Sequence, residues 1–201
     1  MKTVIVPWLC RAISGAQARW SEGPPGQEQR IYFANHTSNL DFLILWSLLP
    51  AELRCLTRPV AAHDYWTANR LRHGVARDLF NAVLIERKKV TKSNNPLTTM
   101  CSALEEGSSL IVFPEGGRKR GDGPGMMPFK SGLFHLAVRF PGVDLVPVYL
   151  HNMNRIMPAG EWLFVPLICS VVFGRPMRRL EGEGKEDFLR RAEAAVMEAA
   201  A

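Results

Sequence analysis

The sequence has no uninterrupted run of the roughly 18–20 apolar residues that a helix needs to cross a bilayer, so we expect no transmembrane helix. Its four cysteines lie far apart and form no Cys-x-x-Cys pair, which argues against a zinc site and against a disulfide framework. Internal repeats, low-complexity segments and a long basic tail are also missing. These absences leave a globular chain without a structural metal.

The composition is that of one folded domain. Of the 201 residues, 47% are hydrophobic, and Pro and Gly are spread along the chain rather than concentrated. This length and composition predict a single domain that spans residues 1–201.

The charge of the chain favours anionic partners. The formal net charge is +6 and the sequence pI is about 9.4. Nucleic acid, phospholipid headgroups and phosphorylated substrates would all satisfy such a charge. The basic residues form short, scattered groups that do not share one predicted helix, and no nucleic-acid-binding motif is recognisable. We therefore expect a lipid or phosphorylated partner and no nucleic acid, with a nucleic-acid-binding module as the alternative from another class.

Residues 1–20 form a candidate helix at the start of the chain. Trp8 lies among apolar residues at helical spacing, and Lys2, Arg11 and Arg19 lie at the edges of the apolar face. Two interpretations stay open. The helix lies in a membrane interface, or it packs on the domain.

Strands alternate with helices along the rest of the chain. The predicted strands cover residues 30–35, 54–62, 83–85, 109–113, 144–150 and 167–173. The predicted helices cover residues 39–49, 63–81, 96–106, 131–139 and 185–200. This order predicts an α/β fold with a mixed or mostly parallel sheet flanked by helices.

Three polar residues follow closely on three of the predicted strands. His36, Arg87 and Glu115 each lie within two residues of a strand end. In an open α/β sheet, ligands bind beyond the carboxyl ends of the strands. We therefore expect these three side chains to converge on one site.

The segment Asn35–Asp41 (NHTSNLD) places a histidine at a strand end and an aspartate in the first turn of the next helix. A carboxylate there can fold back and bind one imidazole nitrogen, which leaves the other nitrogen to take a proton from a hydroxyl. No serine nucleophile is evident beside His36, so the hydroxyl would belong to a substrate. The alternative is structural, because Ser38 and Asp41 also match a capping box that stabilises the helix start.

The segment Phe113–Arg118 (FPEGGR) follows another buried strand. Glycine allows a ligand to approach the backbone closely, and arginine can hold phosphate through two parallel hydrogen bonds. Arg87, which follows the strand at 83–85, is a second candidate for phosphate binding. Alternatively, the glycines form an ordinary turn and the charged side chains are solvated.

Taken together, these segments resemble the glycerolipid acyltransferase family, whose best-known members make phosphatidic acid from lysophosphatidic acid. The resemblance covers about residues 30–150, with the order and spacing of the family's motifs. The matching segments are NHTSNLD at 35–41, VLIERKK at 83–89, FPEGGR at 113–118, FKSG at 129–132 and VPV at 146–148. The first and third of these are the most specific as a pair.

The resemblance implies roles for the matched residues. It makes His36 the catalytic base and Asp41 its partner. The acceptor and its phosphate would be bound by Arg87, Glu115, Gly116 and Arg118. The donor would be acyl-CoA or acyl-carrier protein, the acceptor an anionic lipid, and no metal or other cofactor would take part. The protein would attach peripherally to the cytoplasmic face of a membrane, where such acceptors lie.

An acyl chain also needs an apolar groove, and the helix after His36 offers Leu40, Phe42 and Trp46 for it. The sequence departs from the family at Gly117, where Thr or another hydroxyl-bearing or small residue is usual. Lysophosphatidic acid is the expected acceptor, with glycerol 3-phosphate, another lysophospholipid or a lyso-aminolipid as alternatives. A non-catalytic lipid-binding protein is the remaining alternative.

Overall fold

A computed structural model of the chain describes residues 2–23, 25–38, 40–87, 90–91, 94–118, 125–151 and 169–200. The strands are β1 (Gln17–Trp20), β2 (Arg30–Ala34), β3 (Thr57–Ala62), β4 (Val83–Ile85), β5 (Ser109–Val112), β6 (Asp144–His151) and β7 (Ser170–Phe173). They form one seven-stranded sheet in the order β1-β7-β6-β2-β5-β3-β4. Neighbouring strands run parallel except β6 and β7, which are antiparallel. The predicted α/β fold with a mostly parallel sheet is confirmed.

Helices flank this sheet. They are α1 (Lys2–Ser14), α2 (Asp41–Leu48), α3 (Ala51–Leu56), α4 (His63–Trp66), α5 (Arg70–Asp78), α6 (Pro96–Glu105), α7 (Gly132–Arg139) and α8 (Lys185–Glu198). Helix α6 begins at Pro96, where a missing N–H costs nothing, and the Asn95 side chain accepts a hydrogen bond from the Leu97 N–H at 3.0 Å.

The central strands are buried on both faces, which is why their sequences are continuously apolar. Alternate residues of β2 point to opposite sides of the sheet. Tyr32 and Ala34 pack with apolar residues of α2. Ile31 and Phe33 pack with residues of α6, α7 and α8. Helices therefore cover both faces, and the carboxyl ends of β2, β3, β4 and β5 meet at one edge of the sheet.

The N-terminal helix is shorter than the sequence predicted. Helix α1 ends at Ser14, and residues 17–20, which were expected to be helical, form β1 and pair with β7. The Ser14 hydroxyl donates to the Cys10 carbonyl at 2.6 Å and accepts from the Ala16 N–H at 3.2 Å. These bonds satisfy backbone groups where the helix stops.

The strand predicted at 54–62 begins later than expected. Residues up to Leu56 belong to α3, and β3 begins at Thr57. The Thr57 hydroxyl donates to the Leu53 carbonyl at 2.7 Å, so the last turn of the helix is closed without a glycine. Sequence reasoning missed this boundary because no turn residue marks it.

The helix predicted at 63–81 is divided into α4 and α5. Asn69 starts the second helix, because its side chain accepts a hydrogen bond from the Arg72 N–H at 2.8 Å. The strand predicted at 167–173 is seen from residue 170, and residues 167 and 168 lie outside the described residues.

Helix α1 packs against α2 and still leaves large apolar side chains exposed. The Arg11 guanidinium donates to the Ser47 carbonyl through Nε at 2.8 Å. Ile5, Trp8 and Leu9 are 53%, 69% and 47% exposed. The helix therefore packs on the domain, as one of the two interpretations expected, and part of its apolar surface stays exposed. Within the described part of the chain, no helix combines the length and the apolar character that crossing a membrane requires.

Candidate active site

The loop that carries His36 leaves the carboxyl end of β2 and is fixed to β6 by Asn35. The Asn35 side chain accepts from the Leu150 N–H at 2.8 Å and donates to the Leu150 carbonyl at 3.2 Å. Asn35 is buried, so these two bonds satisfy polar groups that would otherwise lack water. The start of the loop is therefore held against a central strand.

His36 and Asp41 form the contact that the sequence predicted. His36 Nδ1 lies 2.8 Å from Asp41 Oδ2. A carboxylate only accepts hydrogen bonds, so this contact places the proton on Nδ1 and leaves the lone pair on Nε2. Among the described residues, Nε2 has no hydrogen-bond partner.

Asp41 is fully buried and also holds the backbone of its own loop. Its Oδ2 accepts from the Thr37 N–H at 2.7 Å and from the Ser38 N–H at 2.9 Å. The bond from Ser38 is the one that a capping box would make. The capping box itself is not formed, because α2 is capped at Leu40 without a side-chain bond and the Ser38 hydroxyl accepts from the Leu40 N–H at 3.3 Å. The Asp41 carboxylate therefore fixes the loop before the helix and orients the imidazole.

The imidazole of His36 is also supported from one side. It stacks on the Phe113 ring with centroids 4.3 Å apart and an interplanar angle of 24°. The side chain is 20% exposed. The ring is thus held by an aromatic contact and a carboxylate while one part of it remains open to solvent.

Glu115 is placed differently from the expectation that it binds the acceptor. Its carboxylate faces the protein, where Oε1 accepts from the His36 N–H at 2.7 Å and Oε2 accepts from the Met127 N–H at 2.8 Å. Burial raises the pKa of the Glu115 carboxyl, and the bonds from Met127 and His36 partly offset that rise. Glu115 therefore joins the FPEGGR loop to the backbone of His36, and it does not line the cavity beside His36.

That cavity has a volume of about 650 Å³ and extends from His36 along the sheet toward α6 and α7. Polar and charged side chains line part of its wall, including Arg87, Arg118 and Lys130. The rest of its wall is largely apolar and includes Val60, Ile85, Leu97, Met100, Val112, Leu133 and Leu136. The cavity thus combines basic side chains with an apolar interior.

The structure brings together some of the predicted site residues and not others. Those that line the cavity are His36, Phe42, Arg87, Gly116 and Arg118. Asp41 and Glu115 lie behind them, in contact with His36.

Leu40 and Trp46 do not belong to an acyl-chain groove at this cavity. Trp46 is 2% exposed, and its indole N–H donates to the Arg54 carbonyl at 3.3 Å. Leu40 packs against the same core cluster as Trp46. An apolar helix looks alike in sequence whether it lines a groove or the core, and here Trp46 is buried in the core and Leu40 is partly buried against it.

The two glycine positions of FPEGGR differ in whether the structure requires glycine there. Gly116 has φ +67°, which favours glycine, and its N–H donates to the Phe113 carbonyl at 3.0 Å. At Gly117 an added Cβ would meet only Met127 Cε, at 3.9 Å. The departure from the family at Gly117 therefore leaves space unfilled, and no steric constraint enforces it.

The basic residues of the cavity are not equivalent. Arg87 Nη2 lies 3.4 Å from Asp64 Oδ1 at the cavity wall, so its charge is shared with a carboxylate. Arg118 forms no ion pair within the described residues. Nor do those residues hold a group of three His, Cys, Asp or Glu side chains arranged for a metal ion.

Comparison with known proteins identifies the family of this site. A model of the acyltransferase family matches residues 17–151, which include β2, β5, β6 and every cavity residue named above. The chain belongs to the acyltransferase family. The resemblance seen in the motifs is thereby confirmed at the level of the family.

Relatives of this acyltransferase-family chain include 1-acyl-sn-glycerol-3-phosphate acyltransferases. That of Haemophilus influenzae is 25% identical over an alignment of 159 residues, and the match covers 74% of this chain and 60% of the relative. The human alpha form is 31% identical over 149 residues, which are 74% of this chain and 49% of the relative. The chain thus spans about half to three fifths of the length of these relatives.

A solved structure shares the fold of this acyltransferase-family chain. It is the crystal structure of the 1-acyl-sn-glycerophosphate (LPA) acyltransferase PlsC from Thermotoga maritima, with a TM-score of 0.75 and 20% sequence identity. The match covers 98% of this chain and 80% of the other.

Sequence reasoning missed three parts of the acyltransferase-family site. Lys130 lies in the FKSG segment, which was matched to the family without a role for its lysine. Phe113 was noted as the end of a strand and the first residue of FPEGGR, and its stacking on His36 carries no local sequence signal. The apolar cavity wall comes from β3, β4, α6 and α7, and apart from β4 and the first residue of α7 these elements lie outside the matched motifs.

Proposed function

We propose that the chain transfers a fatty acyl group from a thioester to the hydroxyl of lysophosphatidic acid, giving phosphatidic acid. The observation that carries this proposal is the His36–Asp41 pair, open on a cavity that also presents basic side chains and an apolar wall. The names of the relatives and the family match support the same reaction class.

The first step follows from the tautomer of His36. Nε2 takes the proton from the acceptor hydroxyl as that oxygen attacks the carbonyl carbon of the thioester. The new C–O bond gives a tetrahedral intermediate and leaves an imidazolium. Asp41, 2.8 Å from Nδ1, stabilises that positive charge and keeps the ring in position.

In the second step the C–S bond breaks. The sulfur leaves as the thiol after the imidazolium returns its proton, so His36 is neutral again and no group of the protein is consumed. The donor is acyl-CoA or acyl-carrier protein, which present the same thioester. Most of the rate increase would come from holding two substrates in reacting geometry, which is worth up to about 7–11 kcal/mol.

The basic wall and the apolar wall of the cavity suit different parts of the substrates. The basic wall suits the phosphate of the acceptor, since an anion is favoured where positive charge is gathered. The apolar wall between α6, α7 and the sheet suits an acyl chain, whose burial is worth about 0.8 kcal/mol per methylene. We therefore place the acyl chain against Leu97, Met100 and Leu136, in the cavity that Phe42 of α2 also lines.

A panel of acceptors tests the proposal. We expect the purified chain to acylate lysophosphatidic acid with a kcat/KM at least about tenfold above that for lysophosphatidylcholine or monoacylglycerol. Of these three lipids, only lysophosphatidic acid has a phosphate monoester, whose full negative charge can bind the basic side chains of the cavity. Each acceptor is assayed with both radiolabelled acyl-CoA and acyl-carrier protein. Equal rates on the neutral acceptor, or a preference for glycerol 3-phosphate, would contradict the assigned acceptor.

We also propose that α1 attaches the chain to a membrane surface, with the cytoplasmic face as the expected side. The support is its exposed Ile5, Trp8 and Leu9, because tryptophan and aliphatic side chains favour the boundary between headgroups and acyl chains.

Vesicle flotation tests this attachment. Trp8→Ser is expected to lower the fraction bound to vesicles of phosphatidylglycerol and phosphatidylcholine by roughly tenfold, since a large buried apolar side chain is lost. Leu180→Ser is the matched control, because Leu180 is 59% exposed and lies outside α1. Equal binding of the two variants would show that α1 does not provide the contact.

A further inference from the structure

The cavity opens to the surface beside α4. Tyr65 and Trp66 of α4 line the cavity together with His36. Tyr65 is also 38% exposed, whereas Met100 and Leu136 of the apolar wall are buried. A side chain that lines a cavity and is also exposed lies where the cavity meets solvent. A substrate that reaches His36 from this side therefore passes α4.

A series of side-chain contacts joins this opening to α5. Trp66 meets Phe42 of α2 edge to face, with ring centroids 5.6 Å apart, and Tyr65 meets Trp66 in the same way at 5.5 Å. The guanidinium carbon of Arg72 lies 4.6 Å from the centroid of the Tyr65 ring, where a cation is attracted to the ring face. The first turn of α5 therefore borders the opening of the cavity.

That turn presents an apolar side chain between two cations. Leu71 is 79% exposed, the highest value among the large apolar side chains that the structure describes. Arg70 and Arg72 flank it, and neither takes part in an ion pair within the described ranges. Near the other end of the helix, by contrast, Arg77 is paired with Asp78 at 2.7 Å. We call Arg70, Leu71 and Arg72 the α5 surface.

Helix stability does not account for the two arginines of the α5 surface. The N-terminal end of a helix has a partial positive charge, which favours acidic residues and disfavours basic ones in the first turn. The first turn of α5 has no acidic residue and carries both arginines. The two charges therefore fit an anionic partner outside the chain. Leu71 between them indicates lipid, because at an anionic bilayer the arginines meet headgroup phosphates and a leucine meets acyl chains.

Helices α5 and α1 lie on the same face of the sheet. Val75 of α5 and Cys10 of α1 both pack against the core cluster that contains Tyr32 and residues of α2. Residues of α6, α7 and α8 form the cluster on the other face. The exposed apolar side chains of α1 and the α5 surface are therefore separate groups on one side of the molecule. Contact at both would fix the orientation of the molecule on a bilayer, which contact at one helix leaves free to rotate.

We propose that the α5 surface binds an anionic lipid bilayer and holds the opening of the cavity against it. The acceptor then passes from the bilayer to His36 beside Tyr65 and Trp66, and its acyl chain does not cross water. This delivery step rests on the proposed function, whereas the contact with the bilayer needs no turnover.

Vesicle flotation of Leu71→Ser and Arg70→Gln tests the contact. The matched controls are Leu180→Ser and Arg190→Gln, because Leu180 and Arg190 are exposed and Arg190 lies on α8, on the other face of the sheet. Each test variant is expected to bind vesicles of phosphatidylglycerol and phosphatidylcholine about fivefold more weakly than its control. The loss in Arg70→Gln is expected to disappear on phosphatidylcholine alone and at high salt, because it is electrostatic. Vesicle binding by both test variants that equals their controls overturns the proposal.

Kinetics with two forms of the acceptor separates this proposal from the proposed function. Short-chain lysophosphatidic acid in solution reaches the cavity without a bilayer, so Leu71→Ser is expected to keep kcat/KM within about twofold of wild type. On long-chain acceptor in anionic vesicles it is expected to lose about fivefold. If wild type binds vesicles and forms no phosphatidic acid, the proposed function is wrong, and flotation still decides the role of the α5 surface. If Arg70→Gln slows turnover only with acyl-carrier protein and binds vesicles normally, the surface belongs to that protein and the lipid contact is wrong.

Discussion

Replacing His36 with alanine is expected to lower kcat for acylation of lysophosphatidic acid by about 10²–10⁴-fold, the usual contribution of a positioned general base. The variant loses the only nitrogen that the pair leaves free to accept the hydroxyl proton. The fold is expected to survive, because Asp41 Oδ2 keeps its bonds from the Thr37 and Ser38 N–H groups. The measurement is steady-state kinetics with labelled donor, beside thermal unfolding of the same preparations.

The control for this variant is His73→Ala. His73 is exposed on α5 and does not line the cavity, so its removal is expected to leave kcat within about twofold of wild type. Near-normal turnover by His36→Ala with an unchanged unfolding temperature would show that another group takes the proton.

Replacing Asp41 with asparagine is expected to lower kcat by about 10²-fold or more, with little change in the acceptor's KM, because Asp41 does not line the cavity. An amide NH₂ turned toward Nδ1 would force the proton onto Nε2, which then cannot act as a base. The opposite orientation directs the NH₂ to the place of Oδ1, which is buried and has no hydrogen-bond partner among the described residues. An unpaired donor there is costly, so both orientations harm the site.

Ser38→Ala separates the two roles of this segment. It removes the hydroxyl that accepts from the Leu40 N–H at 3.3 Å and leaves the Asp41 carboxylate in place. If this segment only supported the helix start, Ser38→Ala and Asp41→Asn would have similar values of kcat and similar unfolding temperatures. We expect Ser38→Ala to stay within about fivefold of wild type in kcat, well above Asp41→Asn, because it leaves the imidazole oriented.

The parts of the fold that were predicted correctly are those specified by local sequence. The strand β4 was predicted with its observed bounds, since Val83–Ile85 lies between a helix end and a polar run. Strand β1 was missed because its four residues alternate in exposure and continue the apolar spacing of α1. Its strand character comes from pairing with β7, more than 150 residues away, and no window of sequence contains that partner.

The site shows the same difference between contacts that are local in sequence and contacts that are not. His36 and Asp41 are five residues apart, and the contact between them follows from a strand end and a helix start. Glu115 is 79 residues from His36, and only the return of β5 beside β2 brings its carboxylate to the His36 backbone. Lys130 reaches Gly116 through the turn of the chain into α7. Non-local contacts therefore decide which polar residues face the substrate and which hold the loops.

The most direct measurement is mass spectrometry of the products formed by the purified chain. Lysophosphatidic acid is supplied together with acyl-CoA and acyl-carrier protein, each with a deuterated acyl chain of different mass. The account predicts phosphatidic acid that carries a deuterated chain with wild type, and none above background with His36→Ala. Folded wild type that leaves the label on both donors, or releases it only as free fatty acid, would contradict the account.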